Sequence, residues 1–202
     1  MISRVRSLFL LLALTVSVAF GAPDRNYTTT PLMASETRTL VQMLEYYHYN
    51  KDAVHASDYN QLVTDFMDAW DPQRLFFTAQ DEQALRKQYG PKLETDLGYL
   101  GNIDAAFSIF RLYEQRVQTR TSWIFDQLGH DFNFTTKDVY TPDRSKSPRT
   151  TTAAEADDLW DKRLRYEMLP FLLDGKTLDE AKSTVRKRHE RMLKNIADVD
   201  AT

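Results

Sequence analysis

The chain has 202 residues, 42% of them hydrophobic and 12% aromatic, which suffices for one domain with a packed core. A net charge of -3, with Lys and Arg spread along the chain, argues against a polybasic anchor and against nucleic acid as the main partner. There is no cysteine, so disulfides and a lipoprotein anchor are excluded and packing alone must hold the fold.

The first residues follow their own rule. Arg4 and Arg6 precede an apolar run from Ser7 to Phe20 that is short for a bilayer span, and Ala19-Phe-Gly21 supplies small residues for cleavage. Residues 1–21 are therefore expected to be a cleavable secretory signal peptide, with an uncleaved anchor as the lesser alternative. Residues 22–34 are polar and Thr-rich, as in a flexible mature N-terminus.

From Ser35 onward the apolar period is helical. Leu40, Val41, Met43, Leu44 and Tyr47 predict a first amphipathic helix. Tyr59, Leu62, Val63, Phe66, Met67 and Trp70 predict a second, with Ser57 as its N-cap and Pro72 ending it. Thr78 opens a third, with Asp81 favourably placed in its first turn, and Tyr89-Gly90-Pro91 closes it. Between Pro91 and Gly101 there is room for a turn or two of helix.

Asn102 is expected to cap the longest helix, which carries Phe107, Phe110, Tyr113, Val117, Thr121, Ile124 and Leu128 on one stripe. Thr152-Ala-Ala-Glu155 and Thr177-Leu-Asp-Glu180 have the capping-box pattern and open two more helices. Pro170 should kink or shorten the first of these, and Gly175 should close it. His130 to Thr151 is the one long irregular stretch, and no segment alternates convincingly as a strand would. The expected fold is all-α: an irregular multi-helix domain over residues 35–199 with one long central helix, residues 200–202 forming the C-terminal end.

The stretch Asp68 to Asp81, DAWDPQRLFFTAQD, poses the main question. Trp70, Phe76 and Phe77 could line a slot with Asp68, Asp71 and Asp81 as its carboxylates, or they could form a packed corner between helices. The corner is favoured: Trp70 ends a buried stripe, Pro72 breaks the helix, the Phe pair plugs the turn and Thr78 restarts the chain. Asp65, Asp68 and Asp71 recur every third residue, as on a solvated helix edge.

Catalytic and metal signatures are not found. His48, His55, His130 and His189 are scattered and form no zinc motif. Ser145 beside Lys146 could in principle make a Ser-Lys dyad, but that chemistry needs a buried, uncharged Lys. Here Asp143, Arg144 and Arg149 suggest a solvated loop. The basic run Arg186 to Arg191 reads as a charged helix face, with a peptide-docking surface as the lesser reading. No catalytic, metal-ligating or cofactor-binding residue and no cofactor is assigned.

Several pieces taken together resemble the N-terminal helical domain of the periplasmic tail-specific, or carboxy-terminal processing, serine proteases of Gram-negative bacteria. They are MLEYYHYN, AWDPQRLFFTAQD, NIDAAFSIFRLYEQRV, TPDRSKSPR, LWDKRLRYEML and LLDGKTLDEAKSTVRKRHERML, in that order from about Ser35 to Val199. In such proteases this domain precedes a PDZ domain that reads a substrate's C-terminus, and a peptidase domain with a catalytic Ser-Lys pair follows.

The resemblance implies an exported platform that packs around those modules and contacts substrates or an adaptor protein. Ser145 and Lys146 do not correspond to the dyad, so this chain alone is expected to be inactive. It would be a fragment, a truncated product or a free-standing periplasmic helical binding module.

Overall fold

The computed structural model describes residues 27–49 and 57–199. The expected signal peptide, His55 and the last three residues lie outside the described residues. Among the described residues the regular structure is entirely helical: α1 (Pro31–Tyr47), α2 (Tyr59–Trp70), α3 (Ala79–Tyr89), α4 (Asp104–Gln127), α5 (Ala153–Leu173) and α6 (Leu178–Ala197). A short 3-10 turn, Gly90–Lys92, and a π-helical segment, Thr95–Leu100, link α3 to α4.

The caps explain most of these limits. Thr78 and Asp81 exchange bonds in a full capping box at α3, as do Thr177 and Glu180 at α6. At α5 the Thr152 hydroxyl accepts from the Glu155 amide, while Glu155 reaches back to the amide and hydroxyl of Thr151. Asp58, not Ser57, caps α2: its carboxylate accepts from the amides of Asn60 and Gln61. A charged acceptor one residue nearer the helix displaces the hydroxyl.

Four sequence expectations shift. Asn102 does not cap α4: the cap position is Ile103, whose side chain accepts nothing, and Asn102 Oδ1 accepts from the Asp104 amide, the first of the helix, and from the Thr29 hydroxyl. α1 begins at Pro31 rather than Ser35, because Thr30 caps it and a proline fits the first turn. Gly90 does not stop α3 in a left-handed conformation but stays right-handed and carries the chain into the 3-10 turn. α5 runs through Pro170 to Leu173; the terminating bonds are those of a Schellman motif, from Gly175 to Leu172 and from Lys176 to Phe171.

α4 is the spine, about 36 Å long at 1.5 Å per residue. Its first half, with Ile109, Phe110, Tyr113 and Val117, packs with Val63 and Met67 of α2 and Leu85 and Tyr89 of α3. Its second half, with Ile124 and, at its C-cap, Leu128, packs with Trp160, Leu164 and Met168 of α5 and Val185 of α6. Phe76 touches both cores, lying 5.7 Å from Tyr113 and 5.3 Å from Trp160, ring centre to ring centre. The corner after α2 is thus the joint between the two halves of the core.

α1 stands apart. Its stripe forms the expected helix, yet Leu40, Met43, Leu44 and Tyr47 are exposed, Tyr47 by 79%. It rests on the π-helical segment, where the Arg38 guanidinium donates to the Leu100 carbonyl. Gly101 turns there with φ 69°, and a Cβ would run into the Ala34 carbonyl, so only glycine fits. Ahead of α1, the Thr29 amide and hydroxyl both donate to Asp104, and Tyr27 stacks on Phe107.

Phe77 is fully buried in the joint. Phe77→Ala is expected to cost roughly 3–5 kcal/mol in chemical denaturation. The half-buried Phe76→Ala should cost less; equal stability of the Phe77 variant and the parent would contradict this packing.

Candidate functional site

The joint is a polar construction as much as an aromatic one. α2 ends at Trp70, and the next residue, Asp71, is only 2% exposed rather than on a solvated edge. Proline at 72 frees the following turn from the helix, leaving the amides of residues 75–77 without helical acceptors. Asp71 takes all three: the amides of Leu75, Phe76 and Phe77 donate to its carboxylate at 2.8, 3.0 and 3.0 Å.

Arg149 supplies the counter-charge from 78 positions further on. Its guanidinium lies 3.1 Å from Asp71 and also pairs with Asp68, with 2% of its side chain exposed. Its Nε sits 3.3 Å from Glu82 without hydrogen-bond alignment, and the cation lies 5.4 Å over the Phe77 ring. Glu82 in turn accepts from the Thr64 hydroxyl at 2.9 Å. The loop before α5 is therefore not a solvated loop at Arg149.

Further bonds fasten the same loop. Arg74 donates to Asp68 and to the Ser147 carbonyl, the Arg144 amide donates to Gln73, and the Ala79 amide donates to the Thr150 carbonyl. Arg74 has φ 52°, a left-handed conformation costing a residue with Cβ about 1–2 kcal/mol, held by those two bonds. The indole of Trp160 donates to the Leu75 carbonyl at 3.1 Å, tying α5 to the turn.

Burial pushes the Asp71 carboxyl above the usual carboxylate range, although its three amides and Arg149 pull the other way. Asp81 behaves oppositely. Burial raises it, but a bidentate Arg116, at 2.6 and 2.9 Å, and its bonds with Thr78 hold it below the usual range. The Tyr113 hydroxyl is pushed up to about 12 by burial, with Asp71 adding to the effect.

A second buried polar set joins α5 to α6. His189 Nε2 lies 3.3 Å from Glu167, whose other oxygen is 2.8 Å from Arg163. Burial would raise Glu167, but His189 and Arg163 hold it below the usual range. The other described histidines stay apart: His130 pairs with Asp126 on the surface and His48 lies beside Tyr49. No group of three or more possible metal ligands occurs among the described residues.

Ser145 and Lys146 are both exposed, and the Ser145 hydroxyl donates to the Asp143 carboxylate at 2.7 Å rather than to Lys146. Asp68, Asp71 and Asp81 face arginines, and Trp70, Phe76 and Phe77 pack into the joint between the cores. Arg149 is the residue that sequence reasoning missed. A carboxylate immediately before a helix-ending proline was the available hint that a buried cation was needed, but not which one.

With the fold and its clamped corner in view, the family follows from comparison of the chain with known proteins. Residues 40–202 match the family described as the tail-specific protease N-terminal domain, and the chain belongs to that family. It is 26% identical over 166 residues to the tail-specific protease of Haemophilus influenzae, covering 82% of this chain and 24% of that protein. The chain thus spans about a quarter of the length of this curated relative.

Two outcomes test the joint. Arg149→Ala strands buried Asp71 and is expected to destabilise the fold by about 3–5 kcal/mol, with Arg149→Lys only partly restoring it; denaturation profiles overlapping the parent's would refute the clamp. Asp81, lowered when folded, stabilises fully above about pH 4 and loses that contribution as pH falls through its folded value. Asp71, raised when folded, has the opposite sign. Asp81→Asn should therefore lower the melting temperature at neutral pH and flatten its fall below about pH 4, an expectation lost if the two acid profiles run parallel.

Proposed function

We propose that the chain is the N-terminal helical platform of a periplasmic tail-specific serine protease, a proteolytic system for proteins recognised by their C-termini. It acts through packing and through contacts with substrate or adaptor proteins, and it supplies no catalytic residue. The family match over residues 40–202 carries this reading. The tie between Ser145 and Asp143, and the exposure of Lys146, support the view that bond cleavage belongs elsewhere.

Its partners in this reading are PDZ and peptidase modules of the same or a longer chain. Export follows from the Arg4-to-Gly21 pattern. No helix among the described residues is long and apolar enough to cross a membrane.

Incubated with an unfolded protein substrate, the purified chain is expected to give no new peptide termini by mass spectrometry, and Ser145→Ala should change nothing. Cleavage that disappears in Ser145→Ala would overturn the assignment. Expressed with its own N-terminus in a Gram-negative host, the chain should appear in the periplasm beginning at Ala22. A cytoplasmic product retaining Met1 would remove the case for export.

A further inference from the structure

A groove of about 460 Å³ runs along the C-terminal half of α6 where it meets α4. Tyr113 of α4 and Met192, Ile196 and Val199 give it an apolar lining, and Arg188 and Arg191 stand at its rim. An adjoining hollow shares Arg191 and adds Lys187 and Lys194, with Glu190 as its one carboxylate. The spacing 187, 188, 191, 194 puts four cations on one side of α6.

Arg74, Arg86, Arg116, Arg120, Arg149, Arg163 and Arg165 each have a carboxylate within salt-bridge distance, while Arg38, Arg111, Arg144 and Arg186 donate to uncharged acceptors. Among the described residues, Lys187, Arg188, Arg191 and Lys194 have no such carboxylate. Arg191 donates only to the Lys187 carbonyl, and Arg188 lies 5.9 Å from the Phe171 ring centre. The helix dipole favours cations in the last turn, which accounts for Lys194 but not for Lys187 and Arg188 two turns earlier. In a chain of net charge -3, α6 carries four cations without a salt-bridge partner beside an apolar groove.

We propose that this groove docks an acidic segment of another protein, which inserts one apolar side chain against Tyr113 and Met192 and sets its carboxylates on Arg188 and Arg191. The proposal rests on the platform reading and names the surface and the partner chemistry it would use. An apolar lining flanked by forked donors matches a peptide carrying both features. A nucleic acid would satisfy the cations and leave the lining wet, and a flat bilayer surface does not reach into a concave groove between helices.

The test uses the full chain and a fluorescein-labelled peptide with a single Leu flanked by glutamates, read by anisotropy. Its companions are the same peptide with Lys for Glu, the same peptide with Gly for Leu, and an oligothymidine. The acidic peptide is expected to bind, more weakly at high salt and at least about tenfold more weakly to Arg188→Glu/Arg191→Glu. Gly for Leu should weaken binding, Lys137→Glu on the far loop should not, and the lysine peptide should bind the charge-reversed chain.

Arg188 also adds to the field at Glu167, so Lys187→Glu/Arg191→Glu serves where the first variant melts early. No binding of the acidic peptide, equal binding by both reversed chains, or tighter binding of the oligothymidine would each overturn the proposal. Any of these leaves the platform reading to its own cleavage and export tests, and cleavage by the isolated chain would overturn that reading without touching the groove titration.

Discussion

Everything around the central corner depends on the buried contact between Asp71 and Arg149. Desolvating a carboxylate and a guanidinium costs several kcal/mol each, so the pair holds only because nearly every polar atom is engaged. Asp71 accepts three backbone amides and Arg149, while Arg149 also reaches Asp68 and Glu82. The pair is not a local ornament, because the segment carrying Arg149 has no regular structure of its own. The guanidinium therefore decides where α5 begins and, through the Trp160 bond to Leu75, how the second half of the core meets the first.

That geometry also explains why one long helix can serve two cores. α4 passes Phe110 and Tyr113 to one and Ile124 and its C-cap Leu128 to the other, and the corner with Phe76 fills the gap between them. Aromatic contacts crowd the seam: Trp70 lies 4.5 Å from Phe110 and Phe77 5.8 Å from Tyr113. Rings supply area without direction, whereas the carboxylate and guanidinium supply direction. Together they join the end of α2 to the start of α3.

The helices were legible because their signals are local: a 3.6-residue apolar period and, at every start but that of α4, a capping side chain. Thr78, Thr152 and Thr177 were readable for that reason, and Ser57 misled only because Asp58 beside it is the stronger acceptor. Asp71 was misread because a spacing of three places it in a row with Asp65 and Asp68, and periodicity carries no information about a residue just past the helix end. Arg149 was illegible because its partners lie 67, 78 and 81 positions away. The exposure of α1 had the same cause: an apolar stripe states that a helix has an apolar face, not what that face meets.

The charge pattern separates two uses of arginine in one small domain. At the seams several guanidiniums answer a particular carboxylate, as Arg116 answers Asp81 and Arg120 answers Asp157, and these pairs bridge elements far apart in the chain. On the outer side of α6 the four cations have no carboxylate within salt-bridge distance among the described residues, although Arg188 acts at longer range on Glu167. Intramolecular pairing accounts for the first set and for little of the second beyond the dipole at Lys194 and the Glu167 field at Arg188. A domain that works by contact rather than by chemistry has a use for such a surface, since exposed charge steers association without altering the packed interior. The apolar lining beneath it then supplies the desolvated area that charge alone cannot.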